Sequence, residues 1–364
     1  SVTPADAGVL DLISTQLESL GFTCTRLPFG SNNEKVDNLF ARIGSKSPHF
    51  CFAGHVDVVP EGDSSSWSTP PFSGEIKDGK ICGRGASDMK GAIACFISAI
   101  SKLLRHNNLN HGSISLLLTG DEEGPAINGT VKVLEWMKNN NQLPDITLVG
   151  EPTNPKTLGD TIKIGRRGSM TCTLVVKGTQ GHVAYPKLAN NPIPILLELL
   201  NIVSKDPLDE GSANFEASNL EITTIDVGNK ATNVIPEQCR AIFNIRFNDN
   251  HSSEKLINLI EKKMNSTGHK YDISYSISGE SFLSPPGTLT DLIKSSIKKV
   301  VGIDTKYSTD GGTSDARFIK NYSPVAEFGL VNKSIHKIDE NVTIEDLENL
   351  TEIYRLIIKD YLNI

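Results

Sequence analysis

Five short segments concentrate histidine and carboxylate side chains, the groups that bind divalent metal ions in proteins. The segments are Gly54–Asp57, Gly83–Gly91, Thr119–Gly124, Leu148–Thr153 and Asn332–Lys337. Each has an ordinary explanation by itself: a strand-end histidine, an N-cap aspartate, a solvated acidic loop or a surface side chain. The first, third and fourth segments follow strand-like runs, and ligands in open α/β sheets bind at the carboxyl ends of the strands. We therefore predict that the five segments converge on one site.

The candidate metal ligands in these segments are His55, Asp88, Glu123, Glu151 and His336. Two imidazoles and three carboxylates suit Zn²⁺, Co²⁺ or Mn²⁺ better than Mg²⁺ or Ca²⁺. With five protein ligands, one carboxylate is expected to bridge two ions about 3.5–4 Å apart. Such a site lowers the pKa of bound water from about 15.7 to about 7 and polarises a carbonyl group. The chemistry indicated is the hydrolysis of an amide.

Two further carboxylates have predicted roles beside the ligands. Glu122 is the candidate general base, because neighbouring side chains diverge in extended chain and Glu122 can face the attacking water while Glu123 binds metal. A solvated acidic loop explains this segment equally well. Asp57 is the candidate partner of His55, because side chains two residues apart share a face of an extended backbone. A ligating imidazole usually donates its other N–H group to such a carboxylate.

Sequence signatures of other catalytic classes are absent. The chain has no GxSxG motif, no GxxxxGK[ST] loop, no GxGxxG motif after a strand and no HExxH motif. These patterns mark serine hydrolases, nucleotide-binding proteins and one class of zinc peptidases. Catalysis through a serine nucleophile or a nucleotide is therefore not expected.

Up to about residue 165 the sequence alternates strand-like and helix-like patterns. Strands are predicted at His49–Ala53, Ser113–Leu118 and Asp145–Val149, and helices at Gly91–Leu104 and Val131–Asn139. The last two strands are continuous apolar runs, which suit a parallel sheet covered on both faces. This βαβ order predicts a layered α/β domain.

The pattern changes near Gly168. The order becomes β-α-β-β-α-β over about 110 residues, which is the order of a ferredoxin-like α+β sandwich. The predicted elements are Met170–Lys177, Pro192–Val203, Leu220–Val227, Gln238–Phe247, Ser253–Met264 and Tyr271–Ser278. The α/β pattern then resumes, with helices at Leu289–Val301 and Ile344–Leu362. We therefore predict a discontinuous catalytic α/β domain with a mostly parallel sheet, residues 1–167 and 281–364, and an inserted ferredoxin-like domain, residues 168–280.

Composition limits the classes of protein that fit. The 364 residues are too many for one ordinary hydrophobic core. The net charge of -7 argues against a surface for nucleic acid or an anionic membrane. No apolar run approaches the ~20 residues that span a bilayer. The six cysteines form no CxxC pair, which indicates reduced thiols in a cytoplasmic protein.

At the candidate ligands the sequence resembles the M20 family of metallopeptidases and deacylases. The segments that carry the resemblance are Ser1–Pro4, Gly54–Pro60, Arg84–Gly91 and Thr119–Gly124. The resemblance covers essentially the whole chain, including the inserted domain, which is the dimerisation domain in that family. Family members usually have a helical stretch before the segment that matches Ser1–Pro4, which implies residues upstream of Ser1.

The resemblance assigns each candidate ligand to one of two metal ions. It implies that Asp88 bridges the two ions, which are Zn²⁺ or, in one site, Co²⁺. His55 and Glu151 would complete the coordination of one ion, and Glu123 and His336 that of the other.

The resemblance also implies roles for side chains that do not bind metal. Glu122 would be the general base, and Asp57 would hold His55. His182, in the inserted domain, would reach the active site of the partner subunit in a homodimer and stabilise the tetrahedral oxyanion.

Three more segments resemble those of family members that remove the succinyl group from N-succinyl-L,L-2,6-diaminopimelate in lysine biosynthesis. They are Gly165–Ser169, Gly181–Pro186 and Gly311–Phe318. The substrate carries several carboxylates, and arginine guanidinium groups bind carboxylates bidentately. The positions that match substrate-binding residues are Arg166, Arg246, Thr313, Asn332 and Asn233. For either arginine, a surface or interdomain ion pair is the alternative.

Two other functions remain open at the level of sequence. A sister activity in the same family, on N-acetylornithine or a dipeptide, would use the same metal ligands. A non-catalytic dimeric binding protein on this scaffold would be expected to lack a ligand or the base, and all six positions are intact.

Overall fold

The computed structural model describes residues 1–31, 34–105, 109 and 111–364. The chain divides into two compact units. Unit 1 consists of Ser1–Gly165, Ser284–Ser308 and Ser314–Ile364, and unit 2 of Arg166–Leu283 and Thr309–Thr313. None of the helices in the described residues is both long and apolar enough to cross a bilayer.

The helices and strands of the described residues have the following bounds. The helices are α1 (Val9–Ser19), α2 (Gly91–Leu104), α3 (Thr130–Asn139), α4 (Pro192–Ser204), α5 (Ser253–Asn265), α6 (Thr288–Val301), α7 (Ala316–Ile319) and α8 (Ile344–Leu362). The strands of unit 1 that come before unit 2 in the sequence are β1 (Thr23–Arg26), β2 (Leu39–Gly44), β3 (His49–His55), β4 (Glu75–Lys77), β5 (Lys80–Cys82), β6 (Ser113–Thr119), β7 (Ile146–Val149) and β8 (Thr161–Lys163). The later strands are β9 (Gly165–Arg166), β10 (Gly168–Lys177), β11 (Gly181–His182), β12 (Asn219–Asp226), β13 (Val234–Ile235), β14 (Gln238–Phe247), β15 (Asp272–Gly279), β16 (Phe282–Leu283), β17 (Lys306–Ser308), β18 (Val325–Glu327) and β19 (Asn341–Thr343).

Unit 1 is built on an eight-stranded sheet in the order β1-β2-β6-β3-β7-β18-β8-β17. The central pairs β6–β3, β3–β7 and β7–β18 are parallel. Every residue of β3, β6 and β7 is buried. Burial on both faces explains why β6 and β7 are continuous apolar runs rather than alternating patterns.

Aromatic side chains join the central strands of unit 1 to two helices. The rings of Phe52 on β3 and Phe96 on α2 stack with their centroids 4.2 Å apart. The ring of Tyr354 on α8 meets both in edge contacts. The Tyr354 hydroxyl donates a 2.7 Å hydrogen bond to the carbonyl of Phe328, so a buried polar group is satisfied. This core supports the strands whose carboxyl ends carry the candidate ligands.

Unit 2 contains a four-stranded sheet in the order β12-β14-β10-β15, with its strand pairs antiparallel. In β14, alternate residues are buried, which is the pattern of a sheet covered on one face. Apolar residues of α4 and α5 share one buried cluster with this sheet. The order of elements and strands is that of a ferredoxin-like sandwich. The predicted fold class, a discontinuous α/β domain with an inserted α+β domain, is confirmed.

Most predicted elements have bounds close to those in the structure. The bounds of α2, α8 and β14 are those predicted. Helix α1 was not predicted, although Leu10, Ile13 and Leu17 are buried on it and have the spacing of a helical apolar face.

Unit 2 is slightly larger than the predicted inserted domain, 168–280, because it runs from Arg166 to Leu283 and also takes in a short later segment. Thr309–Thr313 belongs to unit 2 by its contacts. Within that unit, the Thr309 hydroxyl donates to the carbonyl of Asn214. Nη1 of Arg166 donates a 3.1 Å hydrogen bond to the carbonyl of Gly312. These contacts join residues far apart in sequence, so no local pattern indicated them.

Candidate metal centre

Three neighbouring parallel strands of unit 1 carry candidate ligands at the same edge of the sheet. His55 is the last residue of β3. Glu123 follows the end of β6, and Glu151 follows the end of β7. Parallel strands end at a common edge, so these side chains meet although they come from distant parts of the sequence.

Asp88 lies between the two histidines. Its Oδ1 is 3.1 Å from Nε2 of His55, and its Oδ2 is 3.2 Å from Nε2 of His336. Nε2 of His55 is also 3.6 Å from Oε1 of Glu151, and Nε2 of His336 is 2.9 Å from Oε1 of Glu123. The five predicted ligands thus form two adjacent groups that share one carboxylate.

These groups fit divalent metal ions. One group is His55, Asp88 and Glu151, and the other is Asp88, Glu123 and His336. In each group the possible ligand atoms all lie within 4.8 Å of one another. Imidazole nitrogens together with carboxylate oxygens are donors for borderline divalent ions, and a shared carboxylate is the usual bridge between two of them.

Negative charge exceeds positive charge at this centre. Burial opposes protonation of His55, but the surrounding carboxylates raise its pKa well above the ordinary 6.5. Hydrogen bonds to Asp88 and Glu123 raise the pKa of His336 to about 10. Burial and the nearby carboxylates raise the pKa of Glu122 well above its usual 4.5. Protons therefore compensate the carboxylates, and a divalent cation would displace protons as it bound.

Glu122 lies beside the ligands. It forms a third candidate group with His55 and Glu123. Its Oε1 is 3.9 Å from Nη1 of Arg317, a buried guanidinium. Among the described residues, Nε and Nη1 of Arg317 have no hydrogen-bond partner. Arg317 falls within the Gly311–Phe318 segment, but the sequence interpretation assigned it no role.

The contacts of Asp57 differ from the predicted ones. Nδ1 of His55 is 2.9 Å from the backbone carbonyl of Asp57 and 3.6 Å from its Oδ1. The carboxylate instead accepts the backbone N–H groups of Glu122, at 3.2 Å, and Glu123, at 2.9 Å. It also accepts the hydroxyl of Thr3 at 2.7 Å. The Asp57 side chain therefore orients the acidic loop, and the Asp57 main chain orients His55.

Arg166, Arg246 and Thr313, all predicted to bind substrate, belong to unit 2. Arg166 is buried and bonded to the carbonyl of Gly312, which precedes Thr313. Arg246 is half-buried on β14, and burial together with the charge of Arg167 lowers the pKa of its guanidinium. Arg167 was not singled out from the sequence, although it stands beside Arg166.

His182 and Asn233 are brought together within unit 2. Strands β11 and β13 pair so that His182 faces Val234, and the carbonyl of Asn233 accepts the N–H of Val183 at 3.0 Å. Both His182 and Asn233 are exposed. Asn332 lies in unit 1, four residues before His336, and its N–H donates to the carbonyl of Asn154 at 2.9 Å.

Known proteins are similar to this one over nearly the whole chain. Residues 51–360 match the model of peptidase family M20/M25/M40. A succinyl-diaminopimelate desuccinylase of Rhodospirillum centenum is 55% identical over 360 residues, which cover 99% of this chain and 93% of that protein. The succinyl-diaminopimelate desuccinylase of Rhodospirillum rubrum is 52% identical, with 98% and 94% covered.

A solved structure has the same fold. An M20 family metallo-carboxypeptidase from Sulfolobus solfataricus superposes with a TM-score of 0.81. The match covers 97% of this chain and 94% of that chain at 20% sequence identity.

Proposed function

The chain belongs to peptidase family M20/M25/M40, and we propose that it is a metal-dependent amide hydrolase that removes the succinyl group from succinyl-diaminopimelate. The observation that carries the proposal is Asp88, which lies between two imidazole–carboxylate groups in unit 1. Identities of 55% and 52% to succinyl-diaminopimelate desuccinylases over nearly the full chain support the choice of substrate.

Two ions are the proposed cofactor. Asp88 would bridge them, His55 and Glu151 would complete one site, and Glu123 and His336 the other. Zn²⁺ is the preferred ion, with Co²⁺ possible in one site, because imidazole and carboxylate donors suit both. When bound, the ions supply Lewis-acid chemistry that polarises the amide carbonyl and acidifies water.

Glu122 is the proposed proton carrier. Its carboxylate takes a proton from the attacking water as a bond forms between the water oxygen and the succinyl carbonyl carbon. It then delivers that proton to the nitrogen of the leaving amine as the C–N bond breaks. The products are succinate and L,L-2,6-diaminopimelate, a precursor for lysine biosynthesis. The burial of Glu122 beside His55 and Glu123 supports this role.

Five side chains are proposed to hold the carboxylates and polar groups of the substrate. The arginines supply charge-assisted hydrogen bonds, which fix both position and orientation of a carboxylate. Burial and, to a lesser degree, the charge of Arg167 lower the pKa of Arg246, and an anionic substrate would favour its charged form. The set is Arg166, Arg246, Thr313, Asn332 and Asn233.

We further propose a homodimer formed through unit 2, in which His182 serves the active site of the partner subunit. Strand β12 is an edge strand of the unit 2 sheet and carries two exposed isoleucines, Ile222 at 39% and Ile225 at 48%, whereas the opposite edge strand β15 carries one, Ile277. An exposed apolar edge strand is a template for pairing with another chain.

Mutation of the edge strand tests the dimer. Ile225→Lys should shift the protein towards monomer in analytical ultracentrifugation and lower its turnover. The control is Ile277→Lys, on the opposite edge strand β15, where Ile277 is 47% exposed. A monomeric Ile225→Lys protein with full turnover would exclude the intersubunit role of His182.

The proposed function is tested by measuring succinate release. Protein treated with chelator and then given Zn²⁺ should hydrolyse N-succinyl-L,L-2,6-diaminopimelate, and the chelated protein should not. Faster turnover of N-acetylornithine or of a dipeptide under the same conditions would move the protein to a sister activity. Tight metal binding with no turnover of any acylated amino acid would favour a binding protein.

A further inference from the structure

Glu340 is a fully buried carboxylate on the loop that follows His336. Its Oε1 accepts the backbone N–H groups of Ser87, at 2.9 Å, and Asp88, at 3.0 Å. Its Oε2 accepts the N–H of Gly85 at 3.0 Å and Nη1 of Arg84 at 2.8 Å. All four groups around this carboxylate are donors.

These contacts hold the segment that carries the bridging candidate Asp88. The backbone of Asp88 has φ -120° and ψ 95°, outside the helical range, just before α2 begins. Buried N–H groups need an acceptor, and here Glu340 supplies it. With the backbone held in this way, Oδ1 and Oδ2 of Asp88 face His55 and His336 respectively.

The same contacts join the Asp88 segment to the loop that carries His336. The N–H of Gly83 donates to the carbonyl of Glu340 at 2.8 Å, and the hydroxyl of Ser87 donates to the carbonyl of Val331 at 2.6 Å. The loop is closed on itself by Ser334, whose hydroxyl contacts both the N–H and the carbonyl of Asn341. Hydrogen bonds therefore join the Asp88 segment to both ends of the loop that carries His336, at Val331 and at Glu340.

We propose that Glu340 is a positioning residue of the metal centre, which sets the geometry of both Asp88 and His336 before metal binds. The proposal rests on the proposed function, because it assumes that these two side chains are ligands. Only a carboxylate satisfies the position, since it accepts at both oxygens and donates at neither. In Glu340→Gln the amide NH₂ would face N–H donors in either orientation of the side chain.

The test compares the metal affinity of Glu340→Gln with that of the wild type. Metal is added to each metal-free full chain in competition with a chromophoric chelator, at a temperature well below the midpoint of thermal unfolding. Loss of a hydrogen-bond partner of a ligating group typically weakens metal affinity about 10- to 100-fold, and we expect a loss of that size for Glu340→Gln. The matched control is Glu345→Gln, an exposed glutamate in the first turn of α8. Affinity equal to that of the wild type in Glu340→Gln would overturn the proposal.

The visible spectrum of the Co²⁺-loaded protein separates positioning from a purely structural role. A displaced Asp88 should change the intensity and position of the Co²⁺ bands in Glu340→Gln, whereas loss of stability alone should leave them as in the wild type. An unchanged spectrum at full Co²⁺ occupancy would therefore overturn the proposal.

If Glu340→Gln fails to fold, the variant Arg84→Lys tests the positioning role of Glu340. Arg84→Lys keeps the charge and the three backbone contacts of Glu340 but replaces the guanidinium that donates to Oε2. We expect a smaller loss of metal affinity and faster amide exchange at Gly85, Ser87 and Asp88. No change in either would overturn the proposal. A wild-type chain that binds no metal would instead overturn the proposed function.

Discussion

Three adjacent carboxylates after β6 have three different sets of contacts. Asp121 is buried and accepts the N–H groups of Ile127 and Asn128, each at 2.8 Å, so it shapes the loop. Glu123 contacts His336, and Glu122 lies in the buried space beside His55. Three consecutive acidic residues are thus suited to different roles: Asp121 to a structural role, Glu122 to proton transfer and Glu123 to metal binding.

Replacement of Glu122 should separate proton transfer from metal binding. We expect Glu122→Ala to keep its metal and to lose about 10²- to 10⁴-fold in kcat, because general acid–base catalysis contributes about that much. Metal content is measured by elemental analysis and kcat by succinate release. In Glu123→Ala, by contrast, metal should be lost. Equal metal loss in the two variants would show that their roles are misassigned.

His49 should make stability depend on pH away from the metal centre. Burial and the nearby Arg42 lower the pKa of this imidazole from 6.5 to about 4. As pH falls below 6.5, the His49 imidazole binds a proton in the unfolded chain, whereas in the folded chain it stays neutral until about pH 4. The stabilisation is therefore present above pH 6.5 and is lost between pH 6.5 and 4. At about 1.4 kcal/mol per pH unit, the loss is about 3 kcal/mol.

Urea unfolding of the metal-free protein at several pH values checks this expectation. His49→Gln should remove that part of the pH dependence, whereas His111→Gln, which changes an exposed imidazole, should retain it. Parallel stability curves for wild type and His49→Gln between pH 6.5 and 4 would contradict the assignment.

At the scale of elements, the carboxyl ends of the central strands determine which side chains meet. The register of β3 and β6 pairs His55 with Thr119, and that of β3 and β7 pairs Ala53 with Val149. The three ligand-bearing segments at the ends of β3, β6 and β7 therefore leave the sheet at nearly the same height. A small change in the backbone at one strand end should move a ligand.

Gly150, between β7 and Glu151, offers such a test. A Cβ atom there would lie 2.4 Å from Cζ of Phe52 and 2.7 Å from Cε of Met89. We expect Gly150→Ala to lower the free energy of unfolding by about 1–3 kcal/mol, the usual cost of overpacking a core, and to weaken metal binding through displacement of Glu151.

The control for this variant is Gly287→Ala, because a Cβ atom at Gly287 would meet nothing within 4 Å. Thermal unfolding and chelator competition measure the two effects. Wild-type stability and metal affinity in Gly150→Ala would mean that the strand end tolerates the methyl group.

At the scale of the whole molecule, every candidate metal ligand belongs to unit 1. Metal binding should therefore stabilise unit 1 directly. A ligand at 100 times its Kd stabilises the state that binds it by about 2.7 kcal/mol. Removal of metal with a chelator should accelerate amide exchange in residues 83–91, 119–128 and 330–341.

Amide exchange followed by mass spectrometry can locate this effect. The strands β10 and β14 form the centre of the unit 2 sheet and serve as the internal control, since they carry no candidate ligand. We expect their exchange to be the same with and without metal. Equal acceleration in these two strands would contradict a metal centre confined to unit 1.

The sequence by itself determined the central strands, most of the helices and the chemistry of the candidate site. Continuous apolar runs identified β6 and β7, and the order of strands and helices identified the inserted α+β domain, because strand and helix periods are local properties of the chain. Histidine and carboxylate segments at the strand ends indicated a metal centre, because parallel strands end at a common edge.

Only the tertiary structure decided which groups hold the candidate ligands in place. Glu340 and Arg84 are 256 residues apart, and Asp57 and Glu123 are 66 residues apart. No helical or strand period relates such positions. The sequence therefore could not predict the carboxylate contacts of Asp57 or the hydrogen bonds of Glu340 to the Asp88 segment. It also could not predict that Thr309–Thr313 belongs to unit 2. These contacts depend on how distant loops pack against one another, and that information exists only once the chain has folded.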